Sequence, residues 1–355
     1  MKSKLLLFAS LPFVCGVLIT SYLPLKANDL WPCGGLCAAL ILSLLTLFCA
    51  GRRLPAAVPV AIFFLCGALC AINGRLGCGL SLFPELQAKL FRALKGAVSG
   101  VPFSGANTSA LLQALLCGDR TLLPAGIQAD FRNSGAAHIL ALSGLHLAIL
   151  SGMLKKSLFF LGHSPRANVA RNCIVIAASG LYTLGAGAGA SLVRAFLFIC
   201  ITSLKEMLPG RRTPAGGPLL FAAMVQLSFH PESVRTLSFQ LSYLACIGII
   251  TLNPRLSSWL PERKGLSRKI WNSLSLSLSC QIFTAPLVYL RFGTLPKYFL
   301  LTNLLALPVC ELLMNVSVVA IILNTLGVHP RVLISFSDLL AEMMLGILHV
   351  IASIP

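Results

Sequence analysis

The sequence predicts an all-α polytopic membrane protein with about eleven transmembrane helices and an extracytoplasmic interfacial helical segment. Three observations carry the prediction. The chain of 355 residues is 57% hydrophobic and only 11% charged, with a mean hydropathy of +0.87. A soluble chain of this length cannot hide that much apolar surface, so part of its solvent is lipid. Apolar runs close to the roughly 20 residues that cross a bilayer recur along the chain. Basic residues collect between alternate runs, as cytoplasmic loops of membrane proteins do.

The predicted spans are 5–23, 30–50, 55–72, 136–161, 169–186, 190–207, 215–230, 236–253, 272–290, 298–325 and 331–353. The first follows Lys2 and Lys4. It lacks a small-x-small cleavage site, so it reads as a retained anchor. The runs 136–161 and 298–325 are long enough to be tilted or broken. Of the 13 cysteines, most fall within spans. Cys33/Cys37 and Cys66/Cys70 have helical i,i+4 spacing, but no histidine joins either pair and no C-x-x-C occurs. Small buried hydrophobes are the simplest reading.

With the N-terminus inside, the inner segments hold most of the basic residues, among them Lys155, Lys156, Arg166, Arg171, Arg268 and Lys269. This accounts for most of the formal net charge of +18. The outer segments remain net basic, which hints at a polyanion met from outside. Three parts follow: a three-span region over 1–72, an extracytoplasmic segment over 73–135, and a transmembrane core over 136–355. In the middle part, ELQAKLFRALKGAV (85–98) places Leu86, Leu90, Leu94 and Val98 on one helical face and Lys89, Arg92 and Lys95 on another. That pattern suits a helix lying on a membrane surface. SALLQALLCG (109–118) is a short apolar helix ended by Gly118, and PAGIQADFRNSG (124–135) runs from a helix-opening Pro124 to a helix-stopping Gly135.

Polar residues inside apolar runs carry the functional expectations, because in lipid they face the bundle interior or water. His138 and His146 are eight apart, near one helical stripe. Ser143 and Gly144 between them can open the helix, and freed backbone is tolerated where it lines a cavity. The competing reading is that each histidine bonds a neighbouring carbonyl. Arg194 follows a glycine run, GAGAGASLVRAFLF, and needs an anion, carbonyls, water or an acid from another span. Asp338 and Glu342 share a helical face, with His349 near the same stripe and Glu311 a further intramembrane acid. Gln240, Asn303 and Asn315 can bond across helices, and Pro308 frees the carbonyl of Leu304. There is no phosphate-loop, zinc-protease or kinase motif. The chain reads as a non-enzyme with no cofactor and no metal.

ALLCGDRTLLPAGIQADFRNSGAAHILALSGLHLAIL (114–150) resembles the core signature of the ComEC competence proteins. The resemblance continues in GAGASLVRAFLF (187–198), HPESVRTLSFQLSYLACIGI (230–249) and QIFTAPLVYLRFGTLPKYFLLTNLLALP (281–308). It implies a bacterial inner-membrane channel that passes single-stranded DNA into the cytoplasm during natural transformation. His138, Ser143, Gly144, His146, Arg194, Gln240 and Asn303 would line or shape that path. Asp119, Arg120, Arg132 and Pro308 would support it. The implied partners are single-stranded DNA, the bilayer, separate DNA-receptor, nuclease and cytoplasmic helicase proteins, and further copies of the chain. Residues 73–103 are too few for the outer oligonucleotide-binding-type domain of many members. The sequence also carries no metallo-β-lactamase-like domain, and Thr236 stands where an acid is expected. Two alternatives stay open. One is a transporter of protons, ions or a small anionic solute, built on Arg194, Glu311, Asp338 and Glu342. The other is a membrane scaffold without transport.

Overall fold

The computed structural model describes residues 2–22, 57–75, 84–162, 164–207, 216–260 and 265–354. The expected span 30–50, with Cys33 and Cys37, lies outside them. Among the described residues all regular structure is helical. In chain order, α1 is Lys2–Tyr22, α2 Ala57–Arg75, α3 Pro84–Ser99, α4 Thr108–Leu112, α5 Ala125–Asn133, α6 Ala137–Leu140, α7 Gly144–Ser157, α8 Pro165–Gly185, α9 Ala190–Met207, α10 Gly217–Phe229, α11 Leu237–Thr251, α12 Asn253–Ser257, α13 Leu266–Phe292, α14 Phe299–Thr325 and α15 Arg331–Ala352. A π-helical turn, Gln113–Cys117, extends α4, and a 3-10 turn, Leu158–Leu161, extends α7.

Among the described residues, four helices are long and apolar enough to cross a membrane: Gly144–Leu161, α13, α14 and α15. Three of the other predicted spans are shorter or more charged. The run 215–230 yields a helix of 13 residues that ends where His230 leaves helical geometry before Pro231. The run 236–253 yields a helix of 15 residues, and α9 carries Arg194, Lys205 and Glu206. The run 136–161 is divided: α6 is one turn long, Ala141 and Ser143 are extended, and α7 begins at Gly144.

The chain forms two compact units. In the first, residues 1–82 and 208–243, α1 and α2 touch backbone to backbone. A Cβ added to Gly16 would collide with the Phe64 carbonyl, and one on Gly67 with the Phe13 carbonyl. This is the small-residue contact by which helices associate in lipid, where dispersion replaces the hydrophobic effect. Gln240 donates to the Tyr22 hydroxyl (2.8 Å) and to the Val234 carbonyl (2.9 Å), tying α11 to α1.

In the second unit, residues 83–207 and 244–355, α14 and α15 form an antiparallel pair. Their inner faces bury Leu313, Met314, Leu340 and Met344. Against this pair lies the most enclosed stretch among the described residues. Thr108 and Leu111 to Cys117, in α4 and the π turn, are 0–3% exposed. This short apolar segment is therefore a core element. On its other flank α7, α8 and α9 pack together. Lys155 bonds Glu206 at 2.5–2.6 Å at one end, and Tyr182 donates to the Leu116 carbonyl (2.9 Å) at the other.

Candidate polar site at the Ser143 helix break

The break between α6 and α7 is built from local chemistry. Arg120 donates to the Leu140 carbonyl (2.8 Å), the last of α6, which satisfies an acceptor freed where the helix stops. Ser143 is extended, with φ −113° and ψ 161°, and serves as N-cap of α7. His146 closes the turn: its Nδ1 accepts the Ser143 N–H at 3.2 Å. The neutral ring then carries its proton on Nε2. That atom is buried without a hydrogen-bond partner, on a side chain 1% exposed.

Gly144 meets α9. Its N–H donates to Ser191 Oγ (3.3 Å). A Cβ at this position would stand 3.0 Å from the Ala195 Cβ and 3.2 Å from Arg194 Nη2. Glycine is therefore what lets the guanidinium lie against the first turn of α7. Arg194 also bonds Cys246 Sγ and stands 5.9 Å from the Phe198 ring. The glycine run before it has two uses. Gly185 packs against Leu90 at the end of α8, while Gly187, at φ +90°, turns the chain into α9.

The structure thus brings Ser143, Gly144, His146 and Arg194 together, with Arg120 holding the preceding turn. His138 is placed differently from the expected shared stripe. It is exposed on α6, its Nδ1 3.1 Å from the Gly135 carbonyl, and the break separates it from the helix of His146. Gln240 belongs to the first unit, where it bonds across helices. Asn303, on α14, has a buried Oδ1 without a partner. Arg132 is exposed on α5, and Pro308 lies inside an unbroken α14.

Asp119 is the hub of the neighbouring loop. It accepts from Lys95 Nζ (2.5 Å), from the Thr121 N–H (3.0 Å) and from Thr121 Oγ1 (2.6 Å). Lys95 first, then Thr121, hold its carboxyl down at about 2. The expected acidic face of α15 is split. Asp338 is buried and accepts from the Ser104 N–H (2.9 Å), whereas Glu342 is exposed. Glu311 is exposed as well, and exposed His349 pairs with Asp130 (3.0 Å). Nothing in the sequence pointed to Ser191 or Tyr182. Lys95 was visible as one charge on an amphipathic face, but nothing in the sequence paired it with Asp119.

An all-helical membrane protein with a polar break inside an apolar run is the class these features define. The sequence profile of the competence protein family matches residues 115–355, well over half of the chain. The chain belongs to that family, the ComEC-type proteins its motifs resemble. A curated relative, ComE operon protein 3 of Bacillus subtilis (strain 168), is 25% identical over 237 residues, covering 66% of this chain and 29% of the relative. The chain thus spans under a third of that relative's length. No solved structure matches.

Proposed function

We propose that this chain is an inner-membrane component that passes single-stranded DNA into the cytoplasm during transformation. Membership of the competence family supports a role in DNA uptake. One structural observation supports the finer reading: Arg194 lies against the first turn of α7, just after the break, with the unpartnered Nε2–H of His146 buried in that turn. A helix N-terminus and a guanidinium both favour an anion. A phosphate backbone is an anion met repeatedly as a strand moves. The full count of about eleven spans, and a cytoplasmic N-terminus, belong to the same proposal. So does the absence of catalysis in this chain, with DNA capture, strand cleavage and pulling assigned to other proteins.

A second reading, ion transport, is favoured by one feature. Asp338 is 8% exposed and its Oδ1 has no partner, as a site for a passing cation would be. Reconstitution separates the two. Proteoliposomes holding the purified chain should admit a fluorescent single strand of DNA under an inward driving force. Passage of small ions with no passage of DNA would favour the second reading.

A further inference from the structure

We infer that residues 84–117 form a re-entrant hairpin, which enters the membrane from the face where α5 and α6 lie, turns close to the opposite face, and returns. Its two arms, α3 and α4 with its π turn, run antiparallel. Lys95 of the first arm bonds Asp119 at the end of the second. Further along, Gln113 Nε2 donates to Ser99 Oγ (3.2 Å).

The ends of the membrane-spanning α14–α15 pair fix the depth of this hairpin. At one end, Ser134 accepts from Thr302 Oγ1 (2.6 Å) and Asp130 pairs with His349 (3.0 Å). α5 and α6 therefore lie there. At the other end, Asn324 Nδ2 donates to the Gly100 carbonyl (3.1 Å). Thr302 and Asn324 are about 33 Å apart along α14 at 1.5 Å per residue. That is close to the hydrocarbon thickness of a bilayer. The tip, residues 100–107, is thus at the far end from α5. The start of α3 is not. Leu90 packs on Gly185 at the end of α8, the same end at which Tyr182 bonds Leu116 and Gly144 meets Ser191.

Irregular backbone at membrane depth persists only where its polar groups are met by protein or water. The tip satisfies this. The Gly100 carbonyl is taken by Asn324, and the Ser104 N–H by Asp338. Gly105 allows the close approach, since a Cβ there would press on Thr108 Oγ1 and Asp338 Oδ1. Asp338 gains a role the sequence did not suggest: it latches the tip to α15.

Labelling with a membrane-impermeant maleimide tests the hairpin, in a background without the native cysteines. Lys89→Cys, Gly126→Cys and Ala106→Cys report the first arm, α5 and the tip, and all three positions are exposed. Right-side-out and inside-out vesicles are compared. Positions 89 and 126 should label from one face and 106 from the other. Labelling of all three from one face, of 89 and 126 from opposite faces, or of 106 from neither face overturns the inference. The latch is tested on top of Ala106→Cys. Asp338→Ala should speed labelling at 106 severalfold. Asp338→Asn keeps an acceptor for Ser104 and should leave the rate near the parent's. Equal rates in all three remove the latch. Should Asp338→Ala fail to accumulate in membranes, the parental pattern still decides the hairpin.

Discussion

At the residue scale, Arg194 is the decisive side chain. Its guanidinium is permanently charged and offers a planar fork that lysine lacks. Arg194→Ala should abolish DNA uptake at near-normal membrane abundance. Arg194→Lys loses a charge-assisted hydrogen bond, about 1.5–3 kcal/mol, and should lower uptake about tenfold or more without ending it. Uptake of labelled strand and immunoblotting of membranes check both. A fall in abundance with Arg194→Ala would assign the residue to structure instead. Asp119 gives a separate test by pH. Its folded carboxyl lies at about 2, below the ordinary 3.8, so its stabilising effect is complete above about pH 3.8. It is lost as pH falls from there toward about 2. A thermal-unfolding series in detergent should show this acid limb in the parent and a shallower one in Asp119→Asn, with no contribution from this group between pH 5 and 8. Some of this was legible in sequence. Ser143 and Gly144 read as able to open the helix, and the helix breaks there. The Lys95–Asp119 bond was not legible, because 24 residues separate the partners. The Asp338/Glu342 pair misled, because four residues make about 400° of turn. That offset of about 40° is enough to bury one carboxylate and expose the other.

At the scale of elements, α4 and its π turn bear the most packing. Leu115 is 0% exposed, so Leu115→Ala leaves a cavity and should destabilise by about 2–5 kcal/mol. Leu122, 60% exposed, should tolerate alanine within about 0.5 kcal/mol. Unfolding midpoints in mixed detergent micelles would rank them, and equal midpoints would refute the core role of the segment. The amphipathic face of 85–98 could be read from spacing alone, and the helix is there. Its antiparallel pairing with α4 could not, because local periodicity says which face is apolar and nothing about what covers it. The same limit explains the shortened helices at α10 and α11. Hydropathy windows count apolar residues across His230–Pro231 and past Thr251, whereas backbone geometry ends the helices there.

At the scale of the whole molecule, composition settled the class, since so apolar a chain must meet lipid. Motif order pointed to the family, with GDR, FR-x-S-G and SGLH following one another through 118–146. What composition could not reach was the gathering of Ser143, Gly144, His146 and Arg194, which needs α7 and α9 to be adjacent. The central claim is that this chain carries DNA across the inner membrane. The most direct test is a transformation assay on a clean deletion, given end-labelled duplex and scored for labelled single strand inside the cytoplasm. The account predicts that DNA still binds outside the deletion strain, that no labelled strand reaches its cytoplasm, and that the parental chain restores passage. Labelled strand arriving in the deletion strain at the parental level would contradict it.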